Sequence, residues 1–239
     1  MNIELKIQFN LLTFLLGLNL FIFILAFIAN ATVGFDTSLF YVFGGQISAQ
    51  IRAGDWWLLL TPNFFHIDII HFLFNFISLY RIGQLILYYY DAKKLFFTYI
   101  FGGIAGVWLS YLVSLLTGQN VLSLGASASI FALIGLLLGG TFKKYRYGQE
   151  LPFSTSEILP FVVIAFLFGV MPGLNINNWA HLGGLGMGVI LGFLVPNSLS
   201  INKTKTHRIL VDSLFWASVI IFVLSYAVLL IKDYTLLML

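Results

Sequence analysis

The chain has 239 residues, of which 60% are hydrophobic and only 9% are charged. Soluble domains carry about 25% charged residues, so this composition excludes an ordinary soluble protein and indicates an integral membrane protein. The absence of cysteine excludes disulfides, thiolate metal sites and cysteine nucleophiles, and the net charge of +3 gives no reason to expect a nucleic-acid partner.

Seven apolar segments approach the roughly 20 residues that a membrane-spanning helix needs. We predict an all-α polytopic membrane protein in which residues 1–239 form a single membrane domain. The first apolar run lacks a small-residue cleavage site, so we expect a retained span and not a signal peptide. The predicted spans, in chain order, are Leu11–Ala29, Phe64–Ile82, Leu95–Leu116, Ser127–Phe142, Ile158–Gly173, Asn178–Val195 and Ser213–Ile231.

The segment between the first two predicted spans, Asn30–Asn63, is long and rich in aromatic residues and glycine. Tryptophan and tyrosine side chains settle at the membrane–water interface. We therefore expect a structured loop that lies in the interface.

Lysine and arginine residues indicate the orientation, because they accumulate in cytoplasmic loops. With a cytoplasmic N-terminus and alternating spans, ten of the twelve fall on the inner side, and only Arg52 and Lys232 fall outside. The ten are Lys6, Arg81, Lys93, Lys94, Lys143, Lys144, Arg146, Lys203, Lys205 and Arg208. We therefore expect the N-terminus in the cytoplasm and the protein in the cell membrane.

This orientation brings several polar side chains to one depth, since the second, fourth and sixth spans all begin on the outer side. Their first turns carry His66 and His71, then Ser127, then His181. The predicted fourth span has only 16 residues, or about 24 Å of helix, against a hydrocarbon core of about 30 Å. We therefore expect Ser127 to lie at the floor of a water-filled cavity that opens to the outer side.

Ser127 follows a glycine turn and precedes an apolar helical run. A helix N-terminus offers unpaired N–H groups and a positive dipole end, which favour the oxyanion that forms when a serine attacks a carbonyl. The alternative is that Ser127 is an ordinary helix N-cap. Ser129 is an alternative nucleophile, but the two serines face differently, and the glycine turn favours Ser127.

The sixth predicted span carries a small-residue face headed by His181. The glycines on that face are Gly184, Gly188 and Gly192. Such a face lets two membrane helices approach closely. If the neighbour is the fourth span, His181 can act as the general base of Ser127; otherwise it is a polar residue that joins two helices. Phe131, one turn below Ser127, can stack on the imidazole, although plain packing is the default for an aromatic residue there.

In the second span, His71 and Asn75 lie on one helical face. Aimed at the serine, their side-chain donors would form an oxyanion hole with the Ser127 backbone N–H; the alternative is hydrogen bonding between helices without chemistry. His66 points elsewhere, and with Asp68 we expect it to brace the first loop. No carboxylate lies within the spans near the sixth-span histidine, which favours a serine–histidine dyad over a triad.

The polar motifs at the second, fourth and sixth predicted spans, taken in this order, resemble those of the rhomboid family of intramembrane serine proteases. The matching residues are Trp57 to Thr61, His66, His71 and Asn75; Gly125, Ala126, Ser127 and Phe131; and Ala180, His181, Leu182, Gly183, Gly184 and Gly188. The resemblance covers a six-helix core from about residue 11 to residue 195, and the span at 213–231 resembles the additional C-terminal helix of some members. Two residues depart from the family pattern, Ala128 where a glycine is usual and Leu58 where many members have arginine.

The resemblance implies a serine endopeptidase that cleaves peptide bonds in or near transmembrane segments of other membrane proteins. It implies Ser127 as nucleophile, His181 as base, and His71 with Asn75 at the oxyanion. The supporting residues would be Gly125, Phe131, Gly184 and His66. No metal or cofactor is implied, and the partners are substrate proteins and the lipid bilayer; the oligomeric state is left open.

The fifth predicted span, Ile158–Gly173, contains Pro160, Gly169 and Pro172 and is a candidate lateral gate. An alternative function is a non-catalytic rhomboid-like protein that binds membrane clients, for which Ala128 is the only sequence support. A channel or transporter is a third possibility. The sequence has no mid-span carboxylate and no internal repeat, and both absences argue against it.

Overall fold

Helices dominate the computed structural model of the chain, which describes residues 3–34, 36–142, 151–152, 154–169, 176–198 and 204–237. The α-helices of the described residues are α1 (Ile3–Val33), α2 (Thr37–Val42), α3 (Ser48–Arg52), α4 (Ile69–Tyr89), α5 (Ala92–Thr117), α6 (Ser127–Thr141), α7 (Thr155–Gly169), α8 (Asn178–Leu194) and α9 (Lys205–Leu237). The all-α fold is confirmed, since a helix lies at each of the seven predicted spans. By length and composition, α1, α4, α5 and α9 are able to cross a membrane, and α6, α7 and α8 are shorter apolar helices.

Part of the predicted topology lies outside the described residues. This applies to Lys143, Lys144, Arg146 and Lys203, which were assigned to the inner side, and to Pro172 of the predicted fifth span.

The second span is displaced from its predicted position, because α4 begins at Ile69 and not at Phe64. Residues Thr61–Phe64 form a 3₁₀ turn instead, and the side chains of Phe64 and Phe65 are completely buried. Their apolar character therefore reflects burial inside the protein and not contact with lipid. Asp68 caps α4, because its carboxylate accepts the backbone N–H of His71 at 2.8 Å.

The loop between α1 and α4 is structured, as its composition predicted. It contains α2, α3, two 3₁₀ turns and the short strand β1 (Gln46–Ile47). This strand pairs in antiparallel fashion with β2 (Leu122–Ser123), which lies on the chain leading into α6. Trp57 of the first 3₁₀ turn is buried, with 3% of its surface exposed, so the loop packs onto the helices. The pairing of β1 with β2 ties the loop to the segment before Ser127.

Helices α6 and α8 form the tightest contact, and α5 packs against both. A Cβ atom placed on Gly184 would lie 2.1 Å from the carbonyl oxygen of Ala128, and one on Gly188 would lie 2.0 Å from that of Ala132. Real Cβ atoms do not approach so closely, so the two backbones meet only because these residues are glycines. The glycine face of the sixth span therefore packs on the fourth span. We call this contact the α6–α8 seam.

Helix α9 packs against α5 and against the first 3₁₀ turn of the loop, Trp56–Leu59. The ring of Phe222 lies 5.9 Å from that of Phe14 in α1 and 5.6 Å from that of Phe64 in the loop. The seventh span is thus joined to the core through aromatic contacts, away from the seam.

Candidate active site

Ser127 is the first residue of α6, and its side chain faces α8. Its Oγ lies 2.8 Å from Nε2 of His181, within hydrogen-bonding distance. The residue in the N-cap position is Ala126, not Ser127. The N-cap interpretation of Ser127 is therefore wrong, and its hydroxyl pairs with an imidazole that is in position to accept the proton.

The chain enters α6 through a turn that only glycine adopts easily. Gly125 has φ +111°, in the region that side chains disfavour. Its N–H donates to the carbonyl oxygen of Pro62 at 2.9 Å, and the N–H of Ala126 donates to Nε2 of His66 at 3.2 Å. The turn that leads to Ser127 is thus fixed by two hydrogen bonds that it donates to the segment before α4.

His66, expected as a supporting residue of the site, contacts the turn before Ser127. It was expected to brace the first loop together with Asp68, but Asp68 caps α4, and His66 holds the turn before Ser127. The imidazole is buried, with 1% of its surface exposed. Burial, together with the charge that neighbouring His71 can carry, lowers the pKa of His66 to about 3. His66 is therefore neutral near pH 7, as accepting the Ala126 N–H requires.

His181 is held by its own helix and by an aromatic stack. The side chain of Asn177 caps α8, accepting the N–H of Ala180 at 3.2 Å. The imidazole lies parallel to the ring of Phe131, with centroids 4.3 Å apart and an interplanar angle of 15°. Its buried Nδ1 has no hydrogen-bond partner among the described residues. Among the described residues, Ser127 and His181 therefore form a pair, and no third side chain completes a triad.

His71 and Asn75 converge on the turn before Ser127. A Cβ atom on Gly125 would lie 2.7 Å from Nε2 of His71 and 3.7 Å from Nδ2 of Asn75. The Asn75 amide also donates to the backbone oxygen of His71 at 3.0 Å. Both side chains of α4 therefore border the space beside the start of α6, where the free N–H groups of the helix also point.

Ser129 lies in a different environment from Ser127. It is completely buried, and its Oγ donates to Oδ1 of Asn63 at 3.3 Å. Ser127 is half-buried by comparison. The geometry thus gives only Ser127 an imidazole partner among the described residues.

The two departures from the family pattern are accommodated by packing. The methyl group of Ala128 lies against Gly106 of α5, where an added Cβ would be only 2.7 Å away, so the glycine leaves room for the alanine. Leu58 is completely buried in an apolar cluster with Trp57 and Val107. An apolar side chain suits that position.

Sequence reasoning missed three residues that position the site. They are Pro62 and Asn63, which contact the α6 turn and Ser129, and Asn177, which caps α8. Asparagine directly before an apolar helical run is a known N-cap signal, so Asn177 was detectable. The contacts of Pro62 and Asn63 join residues about 60 positions apart, and no local pattern indicates them.

Comparisons with known proteins point to one family. A profile of the rhomboid domain matches residues 53–198. Rhomboid protease GluP of Bacillus subtilis (strain 168) is 31% identical over 168 residues, covering 70% of this chain and 31% of that protein. RHOMBOID-like protein 4 of Arabidopsis thaliana is 27% identical over 210 residues, covering 83% and 52%. Rhomboid-like protease 2 of Toxoplasma gondii is 30% identical over 167 residues, covering 70% and 57%.

The chain thus spans between about a third and somewhat over half of the length of these relatives. The family profile nevertheless covers more than half of the chain and includes both halves of the serine–histidine pair. The fold is that of a multi-pass integral membrane protein. By its sequence and its helical architecture, this chain belongs to the rhomboid family.

Proposed function

We propose that the chain is an intramembrane serine endopeptidase that cleaves transmembrane or juxtamembrane segments of other membrane proteins. The observation that carries the proposal is the 2.8 Å contact between Ser127 Oγ and His181 Nε2 at the start of α6. Relatives named as proteases support it. A nucleophile and a base within hydrogen-bonding distance form the minimal apparatus of acyl transfer.

In the proposed mechanism, Ser127 Oγ attacks the scissile carbonyl carbon while its proton passes to His181 Nε2. The tetrahedral intermediate collapses, the protonated imidazole gives its proton to the leaving amine, and an acyl-enzyme on Ser127 remains. Water then attacks the ester carbonyl, with His181 again taking a proton, and the serine is restored. The stacked ring of Phe131 holds the imidazole in place during both steps.

The oxyanion of each tetrahedral intermediate would be bound beside Gly125. Its donors would be the side chains of His71 and Asn75 and the backbone N–H of Ser127. Their placement around the Gly125 turn supports this role. Such donors are most effective where water is scarce, and each typically contributes about 10²–10³-fold to the rate.

We also propose that the site opens to the outer side of the membrane and that the N-terminus is cytoplasmic. The support is the distribution of lysine and arginine along the chain. Substrates would then reach Ser127 from the outer half of the bilayer, with α7 as the lateral gate.

Cleavage of a purified transmembrane substrate in detergent tests the mechanism. We expect wild type to cleave and Ser127→Ala and His181→Ala to lose cleavage, because each lacks one partner of the dyad. Ser129→Ala tests the alternative nucleophile and should retain cleavage at a reduced rate, because it removes only the hydrogen bond to Asn63. Persistent cleavage by folded Ser127→Ala would refute the mechanism, and a folded wild type that cleaves none of several substrates would favour the client-binding alternative.

A further inference from the structure

A buried chain of polar side chains joins the first loop to the helix that carries His181. Gln46 of β1 is completely buried, and its Nε2 donates to Oγ of Ser110 in α5 at 3.1 Å. The same Oγ accepts Nδ2 of Asn177 at 2.7 Å. Asn177 in turn caps α8 through the N–H of Ala180. The connection therefore runs from the loop, through α5, to the first turn of α8.

The segment containing β1 is also attached to the chain that leads into α6. Gln46 is paired with Ser123 in the β1–β2 ladder. The N–H of Ser48 donates to the carbonyl oxygen of Val121 at 3.1 Å, and the N–H of Ala49 donates to Oδ1 of Asn120 at 2.9 Å. One short strand thus makes contact with both segments that precede the proposed catalytic residues.

Along the chain, each attachment lies equally close to one of the two proposed catalytic residues. Ser123 precedes Ser127 by four residues, and Asn177 precedes His181 by four. Short chain segments transmit a displacement of their anchored ends, and an error of about 1 Å in a catalytic geometry can lower a rate about 100-fold. A displacement of β1 would therefore change the distance between Ser127 and His181.

We propose that Gln46, Ser110 and Asn177 are positioning residues that couple the locations of Ser127 and His181 through β1. This inference rests on the proposed function, since it concerns the same dyad. Ser110 is the central member, because its hydroxyl oxygen has two lone pairs and both are used by the two amide donors. Its replacement by alanine leaves those donors without that acceptor, while the cap on Ala180 can persist.

The 239-residue chain in detergent provides the test, with Ser110→Ala compared against Ser114→Ala. Ser114 lies one turn further along α5, is equally buried, and donates only to the carbonyl oxygen of Tyr111. The melting temperature of each variant is measured first. The kcat, the KM and the rate at which a fluorophosphonate probe labels Ser127 are then measured at a temperature where every variant is folded. A role in folding alone would lower only the melting temperature.

We expect Ser110→Ala to lower kcat and the labelling rate by roughly ten- to 100-fold, with KM nearly unchanged, and Ser114→Ala to leave both rates near wild type. Gln46→Met should lower both rates in the same way, which provides a second variant if Ser110→Ala does not fold. Asn177→Asp keeps an acceptor for Ala180 and can accept the Ser110 hydroxyl, so it should retain more activity than Asn177→Ala.

Wild-type kcat and labelling in folded Ser110→Ala and Gln46→Met would overturn the inference and leave the proposed function intact. An equal loss in Ser114→Ala would also overturn it, because the effect would then belong to α5 packing in general. Cleavage that survives Ser127→Ala would overturn the proposed function, and the positioning role with it.

Discussion

The α6–α8 seam and helix α7 are neighbours, yet they are packed very differently. Helix α6 is buried along almost its whole length. Helix α7 exposes about half of the surface of each of four apolar side chains: Leu159, Val163, Ile164 and Leu167. It also contains Pro160 within the helix, which removes one backbone hydrogen bond.

This difference separates the closely packed helices that carry Ser127 and His181 from a neighbouring helix with a largely exposed apolar face. The proposed nucleophile and base lie on opposite sides of the seam, where carbonyl oxygens press on glycines. Among the described side chains of α7, Phe166 lies beside the site, with its ring 5.2 Å from that of Phe131 and 6.2 Å from that of His181. If α7 is the lateral gate, its opening would release the contacts of Phe166 and leave the α6–α8 seam in place.

The largest expected effect comes from adding a methyl group to the seam. In Gly184→Ala the new Cβ would lie 2.1 Å from the Ala128 carbonyl oxygen, so the helices must separate, and we expect a loss of about 3 kcal/mol of stability. Gly186→Ala is the matched control, since nothing lies within 4 Å of its Cβ position. Thermal unfolding in detergent measures both, and equal melting temperatures would show that the seam is not tightly packed.

The turn that enters α6 should make stability depend on pH. The pKa of His66 is about 3 in the folded protein and near 6.5 when unfolded, so between these values the unfolded chain binds more protons and stability rises with pH. The contribution is fully present above about pH 6.5 and is lost progressively as the pH falls towards 3. By pH 5 about 2 kcal/mol of stability has been lost.

Melting temperatures of wild type and His66→Gln between pH 5 and pH 8 measure this contribution. The wild type should lose more stability than the variant as the pH falls, because glutamine does not titrate. His207→Gln, in the first turn of α9 where the histidine is half-buried and bonded to Thr204, controls for removal of a histidine as such. Parallel curves for wild type and His66→Gln would contradict the prediction.

The smallest expected change in stability is at α7. Phe166→Ala removes the ring that touches Phe131, and because that ring is only partly buried we expect a loss of about 1 kcal/mol or less. If α7 is the gate, this loss should raise the rate of cleavage of transmembrane substrates severalfold. Leu167→Ala, at the adjacent exposed position, is the matched control and should change neither quantity. A fall in rate for Phe166→Ala would place α7 with the rigid part of the site.

The helices were predictable because long apolar runs have few other structures available in a membrane. The start of α4 was not, since Phe64 and Phe65 are buried by protein and are as apolar as residues facing lipid. Hydropathy measures removal from water and does not distinguish these two surroundings. The error also assigned His66 to a span, whereas it lies before α4.

The site was predictable where spacing along one helix carried the information. His181 and the glycines below it share one face, which indicated a close neighbour, and His71 with Asn75 follow the same rule. The contacts of His66 with Ala126 and of Gln46 with Ser110 join residues 60 and 64 positions apart. They depend on how the loop folds back on the helices, and no local periodicity predicts them.

The glycine contacts of the seam recur every four residues on both helices, since Gly135 and Gly139 of α6 also lie against the carbonyl oxygens of Leu185 and Val189. The two helices can therefore be aligned in very few ways. Inserting one residue between His181 and Gly184 would rotate the imidazole by about 100° and carry it away from its partner. The spacing of three between histidine and glycine is therefore a fixed dimension of the site.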